Sequence, residues 1–196
     1  MTGATVGISG WEKALMAAER VKERLRRATR ALDEAGVAYA VVGGNAVAEW
    51  VARIDDGAVR NTKDVDILVL RSDLPAVKAA LEAVGFEYHR IWGVDTFIDG
   101  AQGRPSEGVH LLFAGETVKP GDGQTLPDLC ESERGIDFRV VSIEALLRMK
   151  LMAWRDKDRT HIRDMIGVGL IDASWPARLP ASLGDRLQQL LDTPDG

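Results

Sequence analysis

Asp64 and Asp66 stand one residue apart at the start of the apolar run Val65 to Leu70, downstream of the glycine pair Gly43-Gly44. In a strand, residues i and i+2 point to the same side, so this spacing presents two carboxylates together. Such a pair can hold Mg²⁺ between the protein and a bound triphosphate. A divalent ion there neutralises phosphate charge and orients an attacking oxygen. The glycines fit the same chemistry. Gly43-Gly44 closes the run Val37 to Val42 and precedes the helical spacing of Val47, Trp50 and Val51, so it reads as a strand-to-helix turn. A turn without Cβ atoms lets backbone approach a ligand, and the helix amides beyond it favour an anion. Either half of the pattern is common. The order strand, Gly-Gly, helix, loop, Asp-x-Asp, strand is more specific than its parts.

The elements that must position these groups follow from periodicity. Trp11 to Glu34 has apolar residues at Leu15, Ala18, Val21, Leu25, Ala28 and Leu32, which is helical spacing. Between them lie Arg20, Lys22, Arg24, Arg26, Arg27 and Arg30, a solvated face or a basic flank for a polyanion. Val37 to Val42 and Asp64 to Leu70 read as strands. Because a helix joins them, the two are expected to be parallel. Asp73 to Val84 reads as a helix capped by Ser72 or Asp73, with Pro75 in its first turn. Phe86 to Trp92 and Asp95 to Ile98 form a bent strand or a hairpin around Gly93. Val109 to Ala114 is a strand, Lys119 to Gly135 a loop and Phe138 to Val141 a last strand. Helices are expected from Ser142 to about Arg155, from about Arg159 to Val168, and from Leu183 to Leu191, with a turn at Trp175-Pro176 and Pro180. The expected fold class is α/β or α+β: a mixed sheet with flanking helices and a helical C-terminal segment. The expected division is an N-terminal helix over 1–36, a core over 37–141 and a helical segment packed on it over 142–196.

Composition bounds the function. With 196 residues, 45% hydrophobic and 28% charged, the chain can bury a real core, which argues against disorder away from the ends. A net charge of −5 argues against a nucleic-acid coat. The single Cys130 excludes an internal disulfide and a cysteine metal cage, and fits a reducing, cytoplasmic setting. No apolar run approaches membrane-spanning length and no signal segment is evident, so no membrane association is expected.

With these residues in place, the pattern resembles the nucleotidyltransferase superfamily, the DNA polymerase beta-like fold, in its small bacterial forms. Val42, Gly43 and Gly44 match its first element, and Asp64 and Asp66 its second. It is similar to the AbiEii-like and the aminoglycoside or lincosamide adenylyltransferase-like groups, in which an Arg and a Thr precede the aspartates. Arg60 and Thr62 stand there. Lys150, Arg163 and Asp164 fit the helix Lys and later Arg-Asp pair of those groups, and the resemblance spans about residues 37 to 170. It implies transfer of a nucleoside monophosphate from an NTP, ATP above all, to a hydroxyl with Mg²⁺ or Mn²⁺. Asp64 and Asp66 would be metal ligands. Gly43, Gly44, Asn45, Thr62, Lys63 and Lys150 would bind the nucleotide. The acceptor, whether small molecule, RNA or protein, is left open. Many relatives belong to toxin–antitoxin or phage-defence pairs, which implies a possible protein partner.

The pattern breaks at the third carboxylate that active members carry on a later strand. In "VHLLFAG" that position holds His110. A neutral imidazole adds no charge for a hard cation and prefers softer metals, though Mn²⁺ remains acceptable. His110 can also serve as a base toward a hydroxyl, or have no catalytic task. Asp95, Asp99 and Glu116 are alternative sources of a third carboxylate. A degenerate module that binds nucleotide or protein without transfer is therefore the competing reading. In "RMKLMAWRDKDRTHIRD", Lys150 and Lys157 lie seven apart, which would place them on one helix face toward a triphosphate. His161 reads as a surface histidine, and Met149, Met152, Trp154, Trp92 and Trp175 as packing residues.

Overall fold

The computed structural model describes residues 9–100, 102–117 and 125–193. Helix α1 (Gly10–Glu34) begins at a reciprocal cap: Glu12 N–H donates to Ser9 Oγ at 3.2 Å, and Ser9 N–H donates to Glu12 Oε2 at 2.7 Å. Its buried stripe is Val21, Leu25, Ala28 and Leu32. The predicted stripe started too early, because Leu15 is exposed along with Trp11 and Met16: the first turns of α1 have no packing partner among the described residues. The basic face is also not simply solvated. Arg24 is buried 3.3 Å from Asp99, Arg27 donates to the same carboxylate, and Lys22, Arg26 and Arg30 face Glu19, Asp137 and Glu34. Lys22, Arg26 and Arg30 are themselves exposed, so the rest of that face is solvated.

Strand β1 (Tyr39–Val42) leads directly into α2 (Gly43–Ala52), and β2 spans Val65–Val69. The two strands are antiparallel, pairing Val42 with Asp66 and Tyr39 with Val69. This corrects the parallel expectation. A helix of 10 residues carries the chain about 15 Å away from the end of β1. The loop from Arg53 to Asp64 then carries it back to the same end, so β2 starts where β1 stopped. Asn45, in the first turn of α2, fixes that return by donating from Nδ2 to the Asp64 carbonyl oxygen at 2.8 Å.

Helix α3 (Leu74–Ala83) has Pro75 in its first turn but no side-chain cap; Ser72 Oγ bonds the Asp73 carboxylate instead of a helix amide. Strands β3 (Phe86–Ile91) and β4 (Val94–Asp99) make a hairpin, and β5 spans Val109–Phe113. Trp92 lies at the hairpin tip with φ 53° and is 99% exposed, so it is not a packing residue. The region read as a loop holds β6 (Ser132–Arg134), which pairs antiparallel with β7 (Arg139–Val141). Positions 119–124 of that predicted loop lie outside the described residues. The sheet order is β3-β4-β5-β2-β1-β7-β6, with β2–β5 and β1–β7 parallel and the other neighbours antiparallel. The fold class is therefore α/β, a mixed sheet with flanking helices.

The last helices are α4 (Ile143–Ala153), α5 (Asp156–Gly167) and α6 (Ala181–Asp192). Ser142 caps α4 by accepting from Ala145 N–H at 3.3 Å. These three helices pack on one another, and α4 and α5 pack on α2; α1 and α3 pack together, and α1, α2 and α3 lie on the sheet. Trp154 takes a left-handed conformation, φ 50°, at the end of α4. Because the helix breaks there, Lys150 and Lys157 sit on separate helices and share no face. Among the described residues no helix is long and apolar enough to cross a membrane.

Candidate active site

Strand β2 is the centre of the site. Val65, Ile67, Leu68 and Val69 are buried, and Asp66 is the half-buried exception among them. Parallel pairing with β5 sets Asp66 beside His110, while β4 sets Thr96 against the other side of His110. His110 Nδ1 lies 3.5 Å from Asp66 Oδ1, and its Nε2 is 2.8 Å from the Pro105 carbonyl oxygen. One carboxylate oxygen from each of Asp64 and Asp66 and one ring nitrogen of His110 lie within 4.8 Å of one another. Two carboxylates and an imidazole at that separation fit a divalent cation.

The glycines are required by this packing. Gly43 has φ +69°, a conformation costly for other residues, and a Cβ there would come within 2.9 Å of Asp66 Cβ and Cγ and closer still to Oδ2. A Cβ on Gly44 would reach 2.9 Å from Thr62 Cβ and Oγ1. Thr62 in turn donates to Asp64 Oδ1 at 2.7 Å. Each glycine thus makes room for one arm of the carboxylate pair: Gly43 for Asp66 directly, Gly44 for the threonine that orients Asp64.

Electrostatics favours the ionised form of Asp64. Burial alone would raise the Asp64 carboxyl, but the Thr62 hydroxyl and the Lys157 charge, with smaller help from its own amide and His110, hold it below its ordinary value. The Asp66 carboxylate raises the His110 imidazole above its usual range, against the opposing effect of burial.

A second polar cluster lies on α4 and α5. Lys150 is only 5% exposed and Asp158 is fully buried. Lys150 Nζ donates to Asp158 Oδ1 at 3.2 Å and lies 3.0 Å from His161 Nδ1. Arg155 Nε donates to Asp158 Oδ2 at 2.6 Å. Burial opposes ionisation of Asp158 most strongly, yet Arg155 and Lys150 outweigh it and keep the carboxyl low. His161 is not the surface histidine expected: burial, reinforced by the Lys150 charge, depresses it to about 4. Asp64 and Asp66 both act electrostatically on Arg155, and Asp66 acts on Lys150, so the two clusters lie within electrostatic reach of each other.

The remaining candidates divide clearly. Asn45 is buried and holds the loop end at Asp64; Lys63 is exposed. Arg60 is engaged by Asp164, its Nε donating to the carboxylate at 2.9 and 2.7 Å. Arg163 donates to the Thr193 carbonyl oxygen. The alternative third carboxylates are all occupied elsewhere: Asp95 accepts from the Tyr88 hydroxyl at 2.5 Å, Asp99 faces Arg24 and Arg27, and Glu116 pairs with Arg71. Sequence reasoning missed Arg155, Asp158 and His161 as a group. The usable signal was the density of charge around Trp154, whose break turns neighbours in sequence into partners across two helices.

No family model matches the chain, and no curated protein matches it by sequence. Among solved structures, the antibiotic-resistance factor ANT(2'')-Ia in solution is similar at TM-score 0.54 and 15% identity, covering 91% of this chain and 94% of its own. The crystal structure of ANT(2'')-Ia in complex with adenylyl-2''-tobramycin gives TM-score 0.53 and 15% identity, over 91% of this chain and 99% of that one. A nucleotidyltransferase-like antigenic protein from Paracoccidioides brasiliensis reaches TM-score 0.47 at 19% identity, over 96% and 91% of the two chains. The likeness to ANT(2'')-Ia shows the fold: this chain has a nucleotidyltransferase-like fold, with the Gly-Gly turn beside Asp-x-Asp.

Proposed function

We propose that the protein transfers a nucleoside monophosphate from an NTP, ATP first among them, to a hydroxyl acceptor with the help of a divalent cation. The observation that carries this reading is the cluster of Asp64, Asp66 and His110 beside the Gly43-Gly44 turn, with the fold in support. Asp64, Asp66 and His110 would hold the cation, which when bound supplies charge neutralisation at the phosphates and polarises the α-phosphoryl group. Thr62 keeps Asp64 oriented. The start of α2, the exposed Lys63 and the buried Lys150 supply the positive potential a triphosphate needs, with Lys150 held in place by Asp158 and His161. In the reaction the acceptor oxygen bonds to the α-phosphorus, the α–β bridging P–O bond breaks, pyrophosphate leaves, and the acceptor proton passes to solvent water. The solved neighbour holds an adenylylated aminoglycoside, tobramycin, which makes a small polyhydroxylated molecule the first acceptor class to try here.

His110 at the third-acid position favours a second reading, nucleotide binding without transfer, in which a protein partner would read the bound state. Calorimetry tests what both share. ATP with a divalent ion should bind the wild type, and the Asp64→Asn/Asp66→Asn double variant should lose that binding. Equal binding by both proteins would remove the site assignment.

A further inference from the structure

We propose that the Asp64–Asp66–His110 cluster is a mixed oxygen–nitrogen site that takes a first-row transition-metal dication, Mn²⁺ or Zn²⁺, through His110 Nδ1 in preference to Mg²⁺. This rests on the reading of the cluster as the metal site and specifies its chemistry. The argument starts at Pro105. Its carbonyl oxygen can only accept, and it lies 2.8 Å from His110 Nε2, so Nε2 carries the hydrogen. In the neutral ring Nδ1 is then left with its lone pair, and Nδ1 is the atom that faces Asp66 Oδ1 at 3.5 Å. A lone pair opposite a carboxylate oxygen calls for a positive centre between them, a proton on Nδ1 in the metal-free protein or a dication that displaces it. A carbonyl on the outer nitrogen is the arrangement that fixes the tautomer and ring orientation of metal-binding histidines.

The Pro105 carbonyl holds the ring in that pose. His110 is paired with Asp66 on one side and with buried Thr96 on the other. The third donor is therefore a preset nitrogen and not an oxygen. Mg²⁺ demands near-ideal octahedral oxygen ligation and parts reluctantly with water. Imidazole suits Mn²⁺ less than Zn²⁺ but serves both, and both tolerate mixed N/O sets. Among the described residues, the alternative carboxylates Asp95, Asp99 and Glu116 are engaged away from the cluster and do not restore an all-oxygen site.

The test uses the full chain stripped of metal and loaded with Mn²⁺ alone. Electron spin-echo modulation should show a directly bound imidazole nitrogen in the wild type, and that coupling should vanish in His110→Asp. In parallel competition titrations the ratio of Mg²⁺ to Mn²⁺ dissociation constants should fall about tenfold or more in His110→Asp, because the substitution supplies the missing charged oxygen. Bound Mn²⁺ without nitrogen coupling in the wild type would overturn the proposal while leaving the metal site and the transferase reading intact. Failure of millimolar Mn²⁺, Zn²⁺ and Mg²⁺ alike to bind would overturn both. Nitrogen-coupled Mn²⁺ in a protein that binds no NTP would uphold the proposal and end the transferase reading. The wild-type spectrum decides the matter even if His110→Asp does not fold.

Discussion

At the scale of single residues, the glycine pair carries the sharpest expectations. Gly43→Ala must place a side chain at positive φ, which by itself costs about 1–2 kcal/mol, and its Cβ overlaps the Asp66 carboxylate. It should lower thermal stability and abolish metal binding together, measurable by melting and by Mn²⁺ titration. Gly44→Ala meets only Thr62, on backbone that is not left-handed. Its stability loss should be the smaller of the two, with weakened metal affinity as Asp64 loses its hydroxyl partner. A second residue-scale expectation concerns His161. Its folded pKa, about 4, lies below the unfolded value near 6.5, so the unfolded chain binds the proton more readily between those limits. The stability it contributes is complete above about pH 6.5 and is lost as the pH falls toward 4. Lys150, Lys157, Asp158 and Asp164 face the ring, so the clean comparison is denaturant stability of wild type against His161→Asn across that window. The wild type should lose stability relative to the variant; parallel profiles would contradict the assignment.

At the scale of elements, the break at Trp154 is what turns the charged run after the sheet into a buried network. Asp158→Asn leaves Lys150 and the Arg155 guanidinium without their shared carboxylate, and should cost about 3–5 kcal/mol in denaturant unfolding. Lys150→Met leaves Asp158 still paired with Arg155 at 2.6 Å and should cost less. The reverse order would show that the carboxylate is not the hub. The same elements mark what sequence could and could not reveal. The i, i+2 spacing of Asp64 and Asp66 and the strand-to-helix glycines were legible as local pattern, although Asp64 lies just ahead of β2 and is oriented by Thr62 and not by strand alternation. The direction of β2 was not, since it depends on how the loop after α2 turns back, and the bond that fixes it joins Asn45 to a backbone atom 19 positions away. Strand β6 was hidden for a similar reason: Ser-Glu-Arg has no strand pattern and exists by pairing with β7. His161 was misread because its burial is created by two helices meeting across a break, which periodicity within either one does not encode.

At the scale of the molecule, the arrangement converges on one end of the central strands: β1 ends, α2 begins, β2 and β5 start, and α4 and α5 bring Lys150 and Arg155 within electrostatic reach of the carboxylates. That convergence is the basis for reading the protein as a transferase. The measurement that tests it most directly is label transfer. The wild type is incubated with each α-phosphate-labelled NTP and Mn²⁺ or Mg²⁺, against tobramycin, other polyhydroxylated small molecules and a cell lysate, while pyrophosphate is followed in parallel. The account predicts label on an acceptor, one pyrophosphate released per label transferred, faster turnover with Mn²⁺, and no transfer by Asp64→Asn/Asp66→Asn. Nucleotide binding with neither pyrophosphate release nor label transfer under any of these conditions would contradict it and leave a nucleotide-binding module without transferase chemistry.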